Sequence, residues 1–282
     1  MRKPVFLVSA CVLLLAGAAA RAGEAQEPVT AILGAIGPEV HPFTEQFSEV
    51  DLRKIEGLEF AVGRLKGRRV VVGLTGVGAV NAAAAATLLI EHFHPAAVIF
   101  TGIAGGLNPD LKPGDVVIAE KTVHHDLGTL TPKGLEYRGV RSLLTGDRNP
   151  VFFPADPELL KAALAAKERV KLHPIHAIEG ERTPRIVTGI VATGGLFVAQ
   201  PAKREELRKA LRADAVEMEG AAVAQICWQS RVPCLVIRCL SDQADGQARE
   251  DALVFREAAS ANAAALVTEI VERLAAAHKA AP

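Results

Sequence analysis

The chain has 282 residues, half of them hydrophobic and 4% aromatic, with 32 acidic and 32 basic residues. This balance excludes the electrostatic footprint of a nucleic-acid binder or of a protein that rides an anionic membrane surface. The length suits one large α/β domain with an ample core, and no internal repeat or interdomain linker divides it.

Arg2 and Lys3 precede an apolar run from Val5 to Ala20, which ends in Ala20-Arg21-Ala22. That order predicts a secretory signal peptide over residues 1–22, cleaved after Ala22, with export to the periplasm and a mature domain over 23–282. At about 16 residues the run falls short of the ~20 that a spanning helix needs, so no membrane attachment is expected after cleavage. Val8-Ser9-Ala10-Cys11 loosely resembles a lipoprotein box but precedes most of the apolar run, which argues against lipidation. Cleavage removes Cys11 and leaves Cys227, Cys234 and Cys239. Cys234 and Cys239 share one predicted strand, roughly 16 Å apart, too far to bridge. All three read as small buried hydrophobes.

The first predicted strand, Val29 to Leu33, runs into Gly34-Ala35-Ile36-Gly37-Pro38-Glu39. Small residues at a strand end with an acid just beyond form a ligand-facing arrangement, and Pro38 and Glu39 also suit the first turn of a helix. Phe60 to Leu65 and Arg69 to Leu74 flank the hairpin signal Lys66-Gly67. Thr75-Gly76-Val77-Gly78-Ala79-Val80-Asn81 then opens an alanine-rich helix, with a G-x-G too short for a dinucleotide fingerprint. Ala97 to Thr101 is a buried strand that ends in Gly102-Ile103-Ala104-Gly105-Gly106, where backbone N–H groups can face a ligand. Asp115 to Ala119 is the next strand. His124-His125-Asp126 has metal-ligand chemistry but no second ligand cluster at a recognisable spacing, so no metal is expected.

Leu127 to Pro154 reads as one long loop, a lid or a subunit contact, and holds Tyr137, the sole tyrosine. Asp156-Pro157-Glu158 starts a helix that runs to about Arg169. Ile175 to Glu179 and Arg185 to Ala192 read as a strand pair. Thr193-Gly194-Gly195-Leu196-Phe197-Val198 follows, then an amphipathic helix from Lys203 to Arg212. Ala215 to Asp245 combines an acidic cluster, Glu217-Met218-Glu219, a small-residue helix to about Ser230, the turn Arg231-Val232-Pro233, and an apolar run from Cys234 to Leu240 closed by Ser241-Asp242. A run of that kind is a strand buried on both faces, and Asp242 sits past its carboxyl end, where open α/β sheets bind ligands. The last helix spans about Arg249 to His278.

VEMEGAAVAQICWQSRVPCLVIRCLSDQAD closely resembles the signature of the 5'-methylthioadenosine/S-adenosylhomocysteine nucleosidases, a branch of the purine nucleoside phosphorylase superfamily. The resemblance spans nearly all of the mature chain. It includes G-A-I with an acid beyond it, T-G-x-A-G-G, H-H-D, and T-G-G-x-F-V. It implies a single-domain, three-layer α/β/α fold with a central twisted mixed sheet, and an enzyme that cleaves the N-glycosidic bond of adenine nucleosides.

On that resemblance Glu39 is the general base for water and Asp242 the general acid toward the purine N7. Glu219 accepts hydrogen bonds from the ribose hydroxyls, and Met218 packs on the sugar. Phe197 either stacks on the base or packs in the core, and Val198 offers main-chain contacts. Ser241 orients Asp242 or holds the turn. Ala35 and Ile103 line the site, Ile103 in place of the family's hydroxyl residue. Glu217 is grouped with the substrate-facing residues, although alternation turns it away, toward a surface or structural place. Gly195 replaces the family's acid. The resemblance also implies a homodimer, in which the region around Tyr137 reaches the partner's site. No cofactor is needed.

Cleavage requires protonation of the departing purine and stabilisation of an oxocarbenium-like sugar. A phosphorylase would also need cations for phosphate, usually arginines. Here the first strand leads to GAIGPEVHP, with an acid where the phosphorylase relatives have arginine, so water is the favoured acceptor. A phosphorylase and a non-catalytic nucleoside-storage protein of the same fold are the alternatives. Retention of Glu39, Glu219 and Asp242 together argues against storage.

Overall fold

The computed structural model describes residues 27–177 and 180–280, so the predicted signal peptide and its cleavage site lie outside the described residues. In chain order the first half comprises β1 (Thr30–Gly34), α1 (Gly37–Thr44), β2 (Val50–Ile55), β3 (Leu58–Leu65), β4 (Arg68–Leu74), α2 (Ala79–Phe93), β5 (Ala97–Gly106) and β6 (Val116–His124). Three short strands follow, β7 (Gly128–Thr131), β8 (Gly134–Tyr137) and β9 (Phe152–Pro154), and then α3 (Pro157–Lys167). The second half holds β10 (Ile175–Ala177), β11 (Gly180–Arg182), β12 (Ile186–Thr193), α4 (Pro201–Leu211), β13 (Ala215–Glu217), α5 (Gly220–Ser230), β14 (Cys234–Asp242) and α6 (Ala248–Ala280).

The main sheet runs β13-β12-β6-β14-β5-β1-β4-β3-β2 and mixes parallel and antiparallel pairs. β1 and β14 are buried along their whole length, as continuous apolar runs demand when both neighbours and both faces are covered. One core lies under α1, α3 and α6, with Phe43, Leu159 and Val267 among its residues. A second lies on the other face under α2 and α5, with Ala86 and Val223. The three layers are those expected.

One half of the sheet closes on itself. β5 runs past its partner β1 through Gly105 and Gly106, which pair antiparallel with Val216 and Ala215 of β13. The strands β5, β14, β6, β12 and β13 thereby form a ring, and the carboxyl ends of β5 and β14 open on the same rim.

Local signals fix the helix ends. Asp156 caps α3 by accepting from Glu158 N and Leu159 N, both at 3.0 Å, with Pro157 in the first turn. Arg231 ends α5 in the left-handed conformation, φ 56°, ahead of Pro233.

Three expectations need correction. The stretch Leu127–Pro154 is not one loop: β7 and β8 form an antiparallel hairpin, and β9 pairs with β6. The hairpin strands have four residues each and none of them is buried, too short and too exposed a pattern to read as strands. Second, β12 does not pair with its predecessor. β10 pairs with β11 across a two-residue connection, because local closure costs less chain entropy, and β12 joins β6 and β13 instead. Third, Asp242 is the last residue of β14 rather than a residue beyond it.

Candidate active site

On the rim of the ring, one cavity of about 140 Å³ is lined by Ala35, Glu39, Ile103, Phe197, Val198, Glu217, Met218, Glu219, Ser241 and Asp242. All ten residues proposed for the site from the sequence thus meet at one place, although they come from five separated segments. A larger groove of about 550 Å³ lies beside α5, around Trp228 and Pro233. It gathers no buried acid–base set, and the chemistry points to the smaller cavity.

Glu39 enters from the first turn of α1. Its Oε2 accepts from Ala35 N at 2.6 Å and Ile36 N at 3.1 Å, and its Oε1 accepts from Ile103 N at 2.9 Å. Burial pushes this carboxyl above the usual range, against the pull of Arg238 and the three N–H groups. Ile103 therefore contributes its backbone N–H to the acid, and its apolar side chain costs the site nothing at that bond.

Asp242 closes β14 and lines the same cavity. Its Oδ1 accepts from Ala244 N and its Oδ2 from the Ser241 hydroxyl, each at 2.8 Å. The side chain is 1% exposed, and burial raises its proton affinity over what these bonds take away, helped by the nearby Asp251 and Asp245. Gly105 makes room for it, since a β-carbon there would stand 2.8 Å from Oδ1. Ser241 is placed to orient this carboxyl.

A charge cluster adjoins these acids, with Arg238 paired to Glu217 and near Glu219. Glu219, the residue before α5, accepts from Gly78 N at 2.7 Å at the start of α2. Burial and the neighbouring Glu217, partly offset by Arg238, bring its pKa up to about 7. Glu217 is not a surface residue. It is buried, its Oε2 accepting from Arg238 Nη2 at 2.5 Å and Nε at 3.2 Å, and from Glu219 N and Gly220 N at 3.0 and 2.7 Å. The Thr193 hydroxyl donates to its other oxygen. Burial alone would raise the Glu217 pKa, but Arg238 and these donors hold it below the usual range. Its role is structural: it anchors the arginine and the start of α5.

Arg238 was not among the residues proposed for the site. It lies on β14 with its guanidinium 4.3 Å over the Phe100 ring, 1% exposed, and its Nη1 has no hydrogen-bond partner. A β-carbon on Gly102 would collide with both Nη1 and Glu39 Oε1, so cation and carboxylate face the same bare stretch of β5. The sequence signal was an arginine inside a fully apolar strand, which is affordable only with buried acids as neighbours.

Phe197 is 47% exposed and Leu196 70%, both at the cavity mouth, whereas Val198 joins the core under α4. Of the two readings of Phe197, the exposed ring at the cavity mouth is the one its surroundings favour. Among the described residues no group of three or more His, Cys, Asp or Glu could hold a metal ion. Cys227, Cys234 and Cys239 are buried and free.

Residues 29–272 match the family model of the phosphorylase superfamily. The chain is 37% identical over 244 residues to the 5'-methylthioadenosine/S-adenosylhomocysteine nucleosidase of Psychromonas ingrahamii, over 86% of this chain and 98% of that protein. Its fold is similar to that of the Neisseria meningitidis nucleosidase of the same name in complex with methylthio-immucillin-A. The TM-score is 0.74 at 35% identity, over 87% of this chain and 99% of that one. The Colwellia psychrerythraea nucleosidase in complex with adenine gives 0.75 at 32% identity, over 88% and 96%.

Proposed function

The chain belongs to the 5'-methylthioadenosine/S-adenosylhomocysteine nucleosidases of the phosphorylase superfamily, hydrolases of the N-glycosidic bond of adenine nucleosides, and we propose how its residues divide that reaction. The observation behind the assignment is that Glu39 and Asp242, both buried and both raised in proton affinity, line one cavity.

Asp242 holds a proton for the purine. Its two hydrogen bonds fix the carboxyl plane and leave one position free on each oxygen, so that one oxygen carries the proton as an O–H and donates it to the base as the glycosidic bond lengthens. Glu219 receives the ribose hydroxyls, a charge-assisted contact once its proton has gone. Glu39 takes the proton of the attacking water. The unpartnered Arg238 Nη1 lies beside this carboxyl, outside the cavity lining, and favours its charged form. Met218 and Phe197 supply apolar walls for sugar and base.

Water rather than phosphate is the acceptor. No lysine or arginine lines the cavity among the described residues, and Arg238 is already committed to Glu217. The test is adenine release from a nucleoside panel with and without phosphate. Release unaffected by phosphate, with a free sugar product, is expected, and a sugar 1-phosphate would overturn the assignment. The same panel identifies the preferred 5' substituent.

The working form is a homodimer. The β7–β8 hairpin stands off the main sheet with Leu130 82% exposed, and Leu143 and Leu144 beyond it are 98% and 71% exposed. Sedimentation should give a dimer at micromolar concentration, and a fully active monomer would refute this. Export rests on the N-terminal sequence, and fractionation of cells that express the full chain decides it.

A further inference from the structure

The motif His124-His125-Asp126, at the end of β6, has metal-ligand chemistry and no metal cluster around it. It instead meets the loop Gly194–Val198, which presents Phe197 to the cavity. His125 N donates to Thr193 O at 2.8 Å. The His125 imidazole is 3% exposed and packs against the Gly194 α-carbon so closely that no β-carbon would fit there. Gly195 N donates to Asp126 Oδ2 at 2.7 Å. Beyond this point Leu196 and Phe197 are largely exposed, and Val198 enters the core.

We propose that Asp126, backed by the His125 ring, is a positioning residue that latches the Gly194–Val198 loop and so sets Phe197 against the base of the bound nucleoside. The inference rests on the nucleosidase reading for its substrate. The latch is made by the Gly195 backbone, and a β-carbon there would meet only Asp126 Oδ2, at an ordinary contact distance of 3.7 Å, so the bond does not depend on glycine. The reacting acids Glu39 and Asp242 sit on α1 and β14, elements that Asp126 does not bond. Loss of the latch should therefore loosen nucleoside binding and leave the chemical step intact.

The experiment compares the full chain with Asp126→Ala and Asp126→Asn, by steady-state kinetics and by hydrogen exchange at the Gly195 amide. An exposed hydrogen bond to a carboxylate corresponds to a KM increase of about three- to tenfold in Asp126→Ala, with kcat within about twofold. Gly195 should exchange faster in that variant. Asp126→Asn keeps an acceptor oxygen and should restore most of both. Unchanged KM and unchanged Gly195 exchange in Asp126→Ala would overturn the proposal. So would a loss confined to kcat with a lowered melting temperature, which marks a merely structural residue, or an Asn variant no better than Ala. If the wild-type chain releases no adenine, the nucleosidase reading falls, and the Gly195 exchange rates still decide whether Asp126 holds the loop.

Discussion

Arg238→Gln removes the one cation among three buried carboxyls, and its cost can be worked from the contacts. Breaking a buried ion pair by deleting one partner costs about 3–5 kcal/mol, mostly the penalty of the charge left behind. Glu217 would keep three donors, the Thr193 hydroxyl and the N–H groups of Glu219 and Gly220, which places the loss near the lower end. For a domain of this size that is a fall in melting temperature of roughly 6–12 °C. The loss should depend on pH. Without the guanidinium, Glu217 is a buried carboxyl beside Glu219, and its folded-state pKa rises above the unfolded value. A group raised in this way adds stability that is fully present below the unfolded pKa and disappears as pH rises through the folded one. In the wild type the same group is depressed, so its contribution is present above the unfolded pKa and is lost as pH falls through the folded value. Both trends narrow the gap between variant and wild type in acid. Scanning calorimetry at pH 5 and pH 8, at one ionic strength, should show the larger deficit at pH 8. An equal deficit at both pH values would refute the reasoning. So would a double variant, Arg238→Gln with Glu217→Gln, no more stable than the single one at pH 8.

Asp242→Asn should lower kcat by about 10²–10⁴-fold on a nucleoside, yet recover much of its activity on p-nitrophenyl riboside, whose leaving group needs no proton; Glu39→Gln should stay crippled on both. Equal damage to Asp242→Asn on both substrates would remove it as the leaving-group acid. Because Glu219 has a folded pKa of about 7, its contribution to stability is complete below the unfolded value of 4.5 and is lost as pH rises through 7. The melting temperature of the wild type relative to Glu219→Gln should therefore drop between pH 5 and 8, and a flat difference would contradict the raised pKa. Gly105→Ala pushes a methyl group to 2.8 Å from Asp242 Oδ1 and should cut kcat at least tenfold while circular dichroism stays unchanged. An active Gly105→Ala would mean that the carboxyl has room to spare.

The sequence made the site legible where chemistry and local pattern coincide. An apolar run that stops at Ser241-Asp242, and a strand that stops at small residues ahead of Glu39, both say that an acid stands at a sheet edge. The partnership of Arg238 with Glu217 was hidden, because it depends on β14 and β13 meeting across the ring, 21 residues apart in sequence. Glu217 misled for a related reason. Alternation along a three-residue strand says which way a side chain points, but not whether another element covers that side. Ring closure itself left no mark, since Gly105 and Gly106 pair with β13 through backbone alone and show no side-chain periodicity. His124-His125-Asp126 showed metal-ligand residue types without a partner cluster, so the sequence assigned Asp126 no role, and the Gly195 N–H opposite it left no mark there.

The order of the strands also bears on how the chain reaches its native state. β14 lies between β5 and β6, yet it is the last strand the chain supplies, and only α6 follows it. Until residues 234–242 arrive, β5 and β6 each present an unpaired row of N–H and C=O groups flanked by apolar faces, the kind of surface that aggregates. A chain shortened ahead of Cys234 would therefore lack its middle rather than its rim, and no stable remnant is expected. Pairings this distant in sequence also make for slow folding. The keystone strand is made after both of the strands it joins, so β5 and β6 wait open for it through all of the chain that lies between.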